Sequence, residues 1–164
     1  MDDPKGVLDQ AATLLKSGFK TLKAKVGSMP FEQELEWMSS LRAMAPDVTF
    51  RVDANGAFSQ PESGWTPLKK LESLAAIGLH SIEQPLHPRD RSGLAELCKV
   101  SPVPIALDES LIGIPLEEQG ALLDAIGPDF LVLKPSLLGG FAATQHWIQL
   151  AEQRVMGWWV TSAL

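Results

Sequence analysis

Lys25, Asp53, Glu83, Asp108 and Lys134 follow one another at intervals of 28, 30, 25 and 26 residues, two lysines bracketing three acids. Three carboxylates brought together repel one another strongly unless positive charge offsets them. A hard divalent cation does this, and Mg2+ accepts several carboxylates while keeping positions open for water and substrate oxygens. Lysines beside such a cation are placed to move a proton on a carbon acid. One recurring interval thus gathers five scattered charges into a candidate site for metal-assisted proton transfer.

The interval matches the length of one strand, one helix and two short loops. Short runs of apolar and β-branched residues precede the charges. They are Phe19 to Leu22 ahead of Lys23-Ala24-Lys25, Val48 to Val52, Leu79 to Ile82, Pro104 to Leu107, and Asp129 to Leu133. Such runs suit largely buried parallel strands. Turn-forming residues follow at Gly27, Asn55-Gly56, Pro85, Gly113 and Pro135, so each charge falls where a strand ends and a loop begins.

Helical stripes fill the gaps. Asp3-Pro4 reads as a cap and first turn, with Val7, Leu8, Ala11, Leu14 and Leu15 forming one face before Gly18. Further stripes run from Glu34 to Met44, Leu68 to Ile77, Leu94 to Val100, Leu116 to Ile126 and Ala142 to Val155, with Gly78 and Gly127 as terminators. A last apolar run, Trp158 to Thr161, leads to Ser162. Six strands alternating with six helices predict a parallel sheet with right-handed crossovers. An open sheet gathers its site at one switch point, whereas a barrel brings every strand end to one mouth. Five consecutive charged strand ends therefore predict an α/β fold of the (β/α) TIM-barrel type. A complete barrel has eight strands in about 250 residues, so 164 residues make it about two strands short.

Alternation along a strand puts Lys23 and Lys25 on one face, both in the mouth, and does the same for Asp53 and Asn55. It sends Asp108 and Glu109 to opposite faces. His80 turns away from the inward side and toward a helix. Trp37 and Trp147 lie on core stripes, and one of Trp158 and Trp159 borders the pocket. His87 and His146 have no partner at metal-ligand spacing.

Composition narrows the function classes. An apolar content of 45% over 164 residues supports one globular unit with a buried core. Met1 to Pro4 opens neither a secretion signal nor a membrane span. The lone cysteine, Cys98, forms no intramolecular disulfide and fits a reducing cytoplasm. A net charge of −6 and the lack of a basic cluster exclude a nucleic-acid partner.

Lys23-Ala24-Lys25, Asp53-Ala54-Asn55, Ile82-Glu83-Gln84-Pro85, Ala106-Leu107-Asp108-Glu109-Ser110 and Leu133-Lys134-Pro135 together resemble the enolase superfamily, in its muconate-lactonizing-enzyme-like subgroup. The resemblance implies that Asp53, Glu83 and Asp108 ligate Mg2+ and that Lys25 and Lys134 form an acid/base pair on opposite faces of a small-molecule carboxylate substrate. Lys23 would modulate Lys25, while Asn55 and Glu109 would orient the metal ligands. Lys134 to Gly140 and Gly157 to Leu164 are most similar to the o-succinylbenzoate synthases of menaquinone biosynthesis, with Ser162 in contact with a substrate carboxylate. That likeness implies a lyase: Lys25 removes the α-proton of 2-succinyl-6-hydroxy-2,4-cyclohexadiene-1-carboxylate, the hydroxyl is lost, and a charged Lys134 stabilises the enolate. Lys25 needs a neutral fraction for this. Lys23 and the cation push it that way, and the carboxylates oppose them. The alternatives are an N-acylamino acid racemase or dipeptide epimerase of the same superfamily, and an inactive fragment that only binds metal. The resemblance also implies that residues 1–164 are a partial catalytic barrel, strands two to seven, lacking a capping domain and the last strand. Its open strand edges would invite self-association.

Overall fold

The computed structural model describes residues 4–163, so Asp3, the expected cap of the first helix, and Leu164 lie outside the described residues. Along the chain run α1 (Pro4–Lys16), β1 (Thr21–Lys25), α2 (Phe31–Met44), β2 (Thr49–Asp53), α3 (Pro67–Ile77), β3 (Ser81–Glu83) and α4 (Arg91–Val100). They are followed by β4 (Ile105–Leu107), a 3-10 turn at Glu109–Leu111, α5 (Leu116–Ile126), β5 (Phe130–Leu133), α6 (Phe141–Gln153) and β6 (Gly157–Val160). The strands form one sheet in the order β1-β2-β3-β4-β5-β6, every neighbouring pair parallel.

Local chemistry accounts for these boundaries. Thr66 caps α3 by accepting the Lys69 N–H at 3.3 Å, and Pro67 occupies the first turn, where its missing N–H is not needed. Gly78 and Gly127 end α3 and α5 in the left-handed region, at φ 72° and 67°. The strands are short and apolar because helices cover their outer face. Val52, Ile82, Ile105, Leu107, Leu131 and Leu133 are fully buried. Against them pack Trp37, Met38 and Leu41 of α2, Leu71 and Leu74 of α3, and Trp147 of α6. Trp37 and Trp147 thus sit in the core, as their stripes require.

Contacts across the concave face show that the sheet curls into a partial barrel. The Arg51 guanidinium of β2 lies 4.1 Å from the ring centre of Trp159 on β6, although three strands separate them in the sheet. Phe130 of β5 joins them, 5.6 Å from Trp159 and 5.1 Å from His80, ring centre to ring centre. This corrects the expectation that His80 packs against a helix. β3 begins only at Ser81, so the alternation that orients Glu83 does not extend back to His80. Trp159 is the inward member of its pair, and Trp158 is exposed. β1 and β6 each pair on one side only, which leaves backbone donors and acceptors along two open edges. Among the described residues no helix is long and apolar enough to cross a membrane.

Arg42 locks the end of the barrel away from the charged strand ends. Its Nε donates to the Ile77 carbonyl at 2.9 Å, Nη2 to Gly78 at 3.0 Å, and Nη1 to Val48 at 2.8 Å and Pro46 at 3.0 Å. One planar fork thus ties the ends of α2 and α3 to the start of β2, which the single ammonium of a lysine does not span. Arg42→Ala is expected to lower stability by about 3 kcal/mol, read as a lower urea midpoint at unchanged slope, with Arg42→Lys recovering only a minor part.

Candidate active site

Parallel pairing sets the level of the strand ends. Lys25 stands opposite Asp53, and Asp53 opposite Glu83, each the last residue of its strand. Asp108 and Lys134 come directly after β4 and β5. One ligand oxygen each from Asp53, Glu83 and Asp108 falls within 4.8 Å of the others. All three residues are buried, at 2%, 0% and 2% exposure.

Two lysines supply the nearest positive charge. Lys23 Nζ lies 2.6 Å from Glu83 Oε2 and 3.0 Å from Asp53 Oδ2, and Lys134 Nζ lies 2.5 Å from Asp108 Oδ2. Burial alone would pull the Lys23 ammonium down, but its pairing with Glu83 and Asp53 more than offsets this and holds it above the ordinary lysine value. Glu83 is pushed up by burial and by its neighbours Asp53 and Asp108, against the pull of Lys23. Asp108 is likewise raised by burial, with Glu109 and Asp53 adding to the effect against Lys134. Glu83 Oε1 is buried without a hydrogen-bond partner. An orphaned carboxylate oxygen inside an all-oxygen cluster fits a hard divalent cation such as Mg2+, which would take Asp53, Glu83 and Asp108 as ligands.

Lys25 is held apart from the cluster. Its Nζ donates to Asn55 Oδ1 at 2.8 Å, Asn55 Nδ2 donates to Glu109 Oε1 at 2.8 Å, and the Asn55 backbone N–H donates to Asp53 Oδ1 at 3.1 Å. Asn55 has φ 43°, a left-handed conformation that asparagine tolerates better than most side chains. Lys23 and Lys25 therefore share the mouth but take different partners: Lys23 neutralises carboxylates while Lys25 faces outward on Asn55. The expectation that Asp108 and Glu109 point to opposite faces is corrected. The backbone turns at Asp108, with φ −126° and ψ −86°, so strand alternation stops there and Glu109 reaches Asn55 at the mouth. Ser162, exposed two residues beyond β6, makes none of these contacts.

Gln84 is a positioning residue with little sequence signal. Fully buried at φ 40°, it accepts the N–H groups of Asp108 at 3.2 Å and Ser110 at 3.1 Å through Oε1. Its Nε2 donates to Leu86 O and to Ser110 Oγ. The amide thereby stitches the end of β3 to the loop that presents Asp108. Only its place beside Glu83, ahead of Pro85, hints at this.

The raised carboxylates give a pH dependence with a definite sign. In the metal-free protein the folded state holds protons on Glu83 and Asp108 more tightly than the unfolded chain does. Their contribution is therefore least unfavourable below the ordinary carboxylate range and becomes a full penalty once pH exceeds their raised native values. Thermal unfolding without metal, followed from that range upward, is expected to show this part of the stability falling with pH. Added Mg2+ is expected to restore it at neutral pH.

A family model described as enolase C-terminal domain-like matches residues 6–164. The o-succinylbenzoate synthase of Desulfotalea psychrophila is 44% identical over 158 residues, 95% of this chain and 42% of that protein. The crystal structure of MenC from Desulfotalea psychrophila LSv54 superposes with a TM-score of 0.89 at 41% identity, over 100% of this chain and 45% of that one. The L-Ala-D/L-Glu epimerase of Bacillus subtilis is 28% identical over 153 residues, 93% of this chain and 41% of the epimerase. The chain spans less than half the length of these relatives.

Proposed function

The chain belongs to the enolase C-terminal domain-like family, and from that premise we propose that it carries the chemistry of an o-succinylbenzoate synthase of menaquinone biosynthesis. The substrate is 2-succinyl-6-hydroxy-2,4-cyclohexadiene-1-carboxylate. Its α-C–H bond breaks with the proton passing to Lys25, the electron pair becomes a ring C=C bond, and the C–O bond to the hydroxyl breaks. Proton and hydroxide balance as water, leaving aromatic o-succinylbenzoate.

The observation that carries this reading is the order of charges around the mouth. Lys25 on β1 and Lys134 after β5 stand on either side of three buried carboxylates. Asn55 holds the Lys25 amine outward, clear of the carboxylates that bind Lys23. Lys134, paired with Asp108, is placed to offset the negative charge that develops on the substrate carboxylate. Asp53, Glu83 and Asp108 would hold Mg2+, which would supply the positive charge that makes the α-carbon more acidic. The 44% identity to the o-succinylbenzoate synthase, against 28% to the L-Ala-D/L-Glu epimerase, favours the synthase over a racemase or epimerase.

A second reading keeps the same lysines. Because they bracket the carboxylates, they also suit a racemase or epimerase of N-acylamino acids or dipeptides, in which each lysine serves one face. Incubation with Mg2+ in 2H2O separates the readings. Formation of o-succinylbenzoate from the cyclohexadiene carboxylate supports the synthase, and deuterium uptake with inversion at an acylamino acid supports the alternative. Mg2+ binding with neither reaction reduces the chain to a metal-binding module.

A further inference from the structure

Two buried charged side chains, Glu34 and Lys70, at 1% and 5% exposure, take no part in the chemistry above. Buried charge is costly unless it is paired and hydrogen-bonded, so its placement calls for a reason. Glu34, on α2, accepts through Oε1 the backbone N–H groups of Gly27, Ser28 and Met29 at 2.6, 3.1 and 3.4 Å. Lys70, on α3, pairs with Glu62 at 2.6 Å and lies over the rings of Phe58 and Phe31, 4.8 and 5.3 Å from their centres. The other Glu62 oxygen accepts the Phe31 N–H at 2.8 Å. Lys70 acts on Glu34 only through space, and Glu62 is 27% exposed at its side chain; together the three charges reach from the loop after β1 to the loop after β2.

Those two loops hold Lys25 and the residue it binds. The loop after β1 starts directly beyond Lys25, and its Val26 N–H donates to the Asp53 carbonyl at 2.9 Å. Gly27, at φ +96°, approaches the other loop so closely that a Cβ on it would lie 2.2 Å from Ala57 Cβ. Ala57 is two residues past Asn55, the acceptor for Lys25 Nζ. The backbone that follows Lys25 is thus held by Glu34, and the loop that carries its side-chain partner is held by Glu62 and Lys70. Lys134 contrasts with this, because the segment after it closes on its own backbone, with Leu137 and Leu138 N–H donating to the Lys134 carbonyl at 2.8 and 3.1 Å.

We infer that Glu34, supported by Lys70 and Glu62, is a positioning residue for Lys25, fixing the direction in which its amine faces the mouth. Its consequence for turnover rests on the function proposed above. The placement of the amine does not.

The test separates the two. Reductive 13C-methylation gives each accessible lysine an NMR signal, and that of Lys25 is identified by its loss in Lys25→Arg. In Glu34→Gln the Lys25 signal is expected to move while those of Lys23 and Lys134 stay in place. With Mg2+ and the cyclohexadiene carboxylate, kcat is expected to fall about a hundredfold at little change in KM, and this loss disappears in the Lys25→Ala background. An unmoved Lys25 signal in folded Glu34→Gln, or equal movement of all three, overturns the inference. Should circular dichroism show Glu34→Gln unfolded, Glu62→Gln is read by the same criteria, since it keeps an acceptor for Phe31. If the unmodified chain turns over no carboxylate, the functional proposal fails and the NMR result still decides the role of Glu34.

Discussion

Lys25→Ala is expected to lower proton abstraction by about a thousandfold, within the range that a positioned acid or base contributes, while leaving Mg2+ affinity nearly unchanged. The separation follows from the contacts. Lys25 Nζ bonds Asn55, whereas the three carboxylates are neutralised by Lys23 and Lys134. Removing Lys25 frees Asn55 Oδ1 to take water at an exposed position and disturbs no carboxylate. The loss therefore belongs in kcat rather than in metal binding or KM. Lys134→Ala is the contrasting case. It leaves the buried Asp108 without its partner, so Mg2+ affinity and its pH dependence move along with turnover. Calorimetry for Mg2+ beside deuterium exchange at the α-carbon reads both variants. Unchanged exchange in Lys25→Ala would show that Lys25 is not the base.

Why some of this was legible in the sequence and some was not has a physical answer. Strand ends repeat because each β/α unit has nearly the same length, so spacing alone placed Lys25, Asp53, Glu83, Asp108 and Lys134 at one rim, and the structure confirms each position. Helix stops at Gly78 and Gly127 were equally readable, since only a left-handed residue ends a helix that way. Alternation failed where the backbone leaves the strand. Glu109 swings to Asn55 because Asp108 bends, and His80 meets Phe130 because β3 starts one residue later. Partnerships across distant segments were not readable at all. Lys23 bonding Glu83 across 60 residues, Gln84 stitching Ser110, and Glu34 gathering three amides depend on curvature and loop paths that no local pattern encodes.

Glu83→Gln is expected to change stability with opposite signs in the two metal states. Without metal, the wild-type protein at neutral pH bears the burial of Glu83 beside Asp53 and Asp108, which is why its carboxyl is pushed up. A neutral amide of the same shape relieves that repulsion. Lys23 keeps Asp53 at 3.0 Å and remains 40% exposed at its side chain, so the lost pair leaves no buried, uncompensated charge. The apo variant should therefore unfold at the wild-type temperature or above it. With Mg2+ the order reverses. A ligand at a hundred times its dissociation constant stabilises the folded state by about 2.7 kcal/mol, and wild type gains that fully. The variant offers one weak amide oxygen where Glu83 presented an anionic oxygen without a partner. Its Mg2+ affinity should fall more than the 10- to 100-fold loss typical of residues that only orient a ligand, and its unfolding temperature should barely respond. Melting curves with and without Mg2+ decide the matter: equal stabilisation of both proteins would exclude Glu83 as a ligand, and a destabilised apo variant would show that the Lys23 ion pair outweighs the repulsion among the three carboxylates.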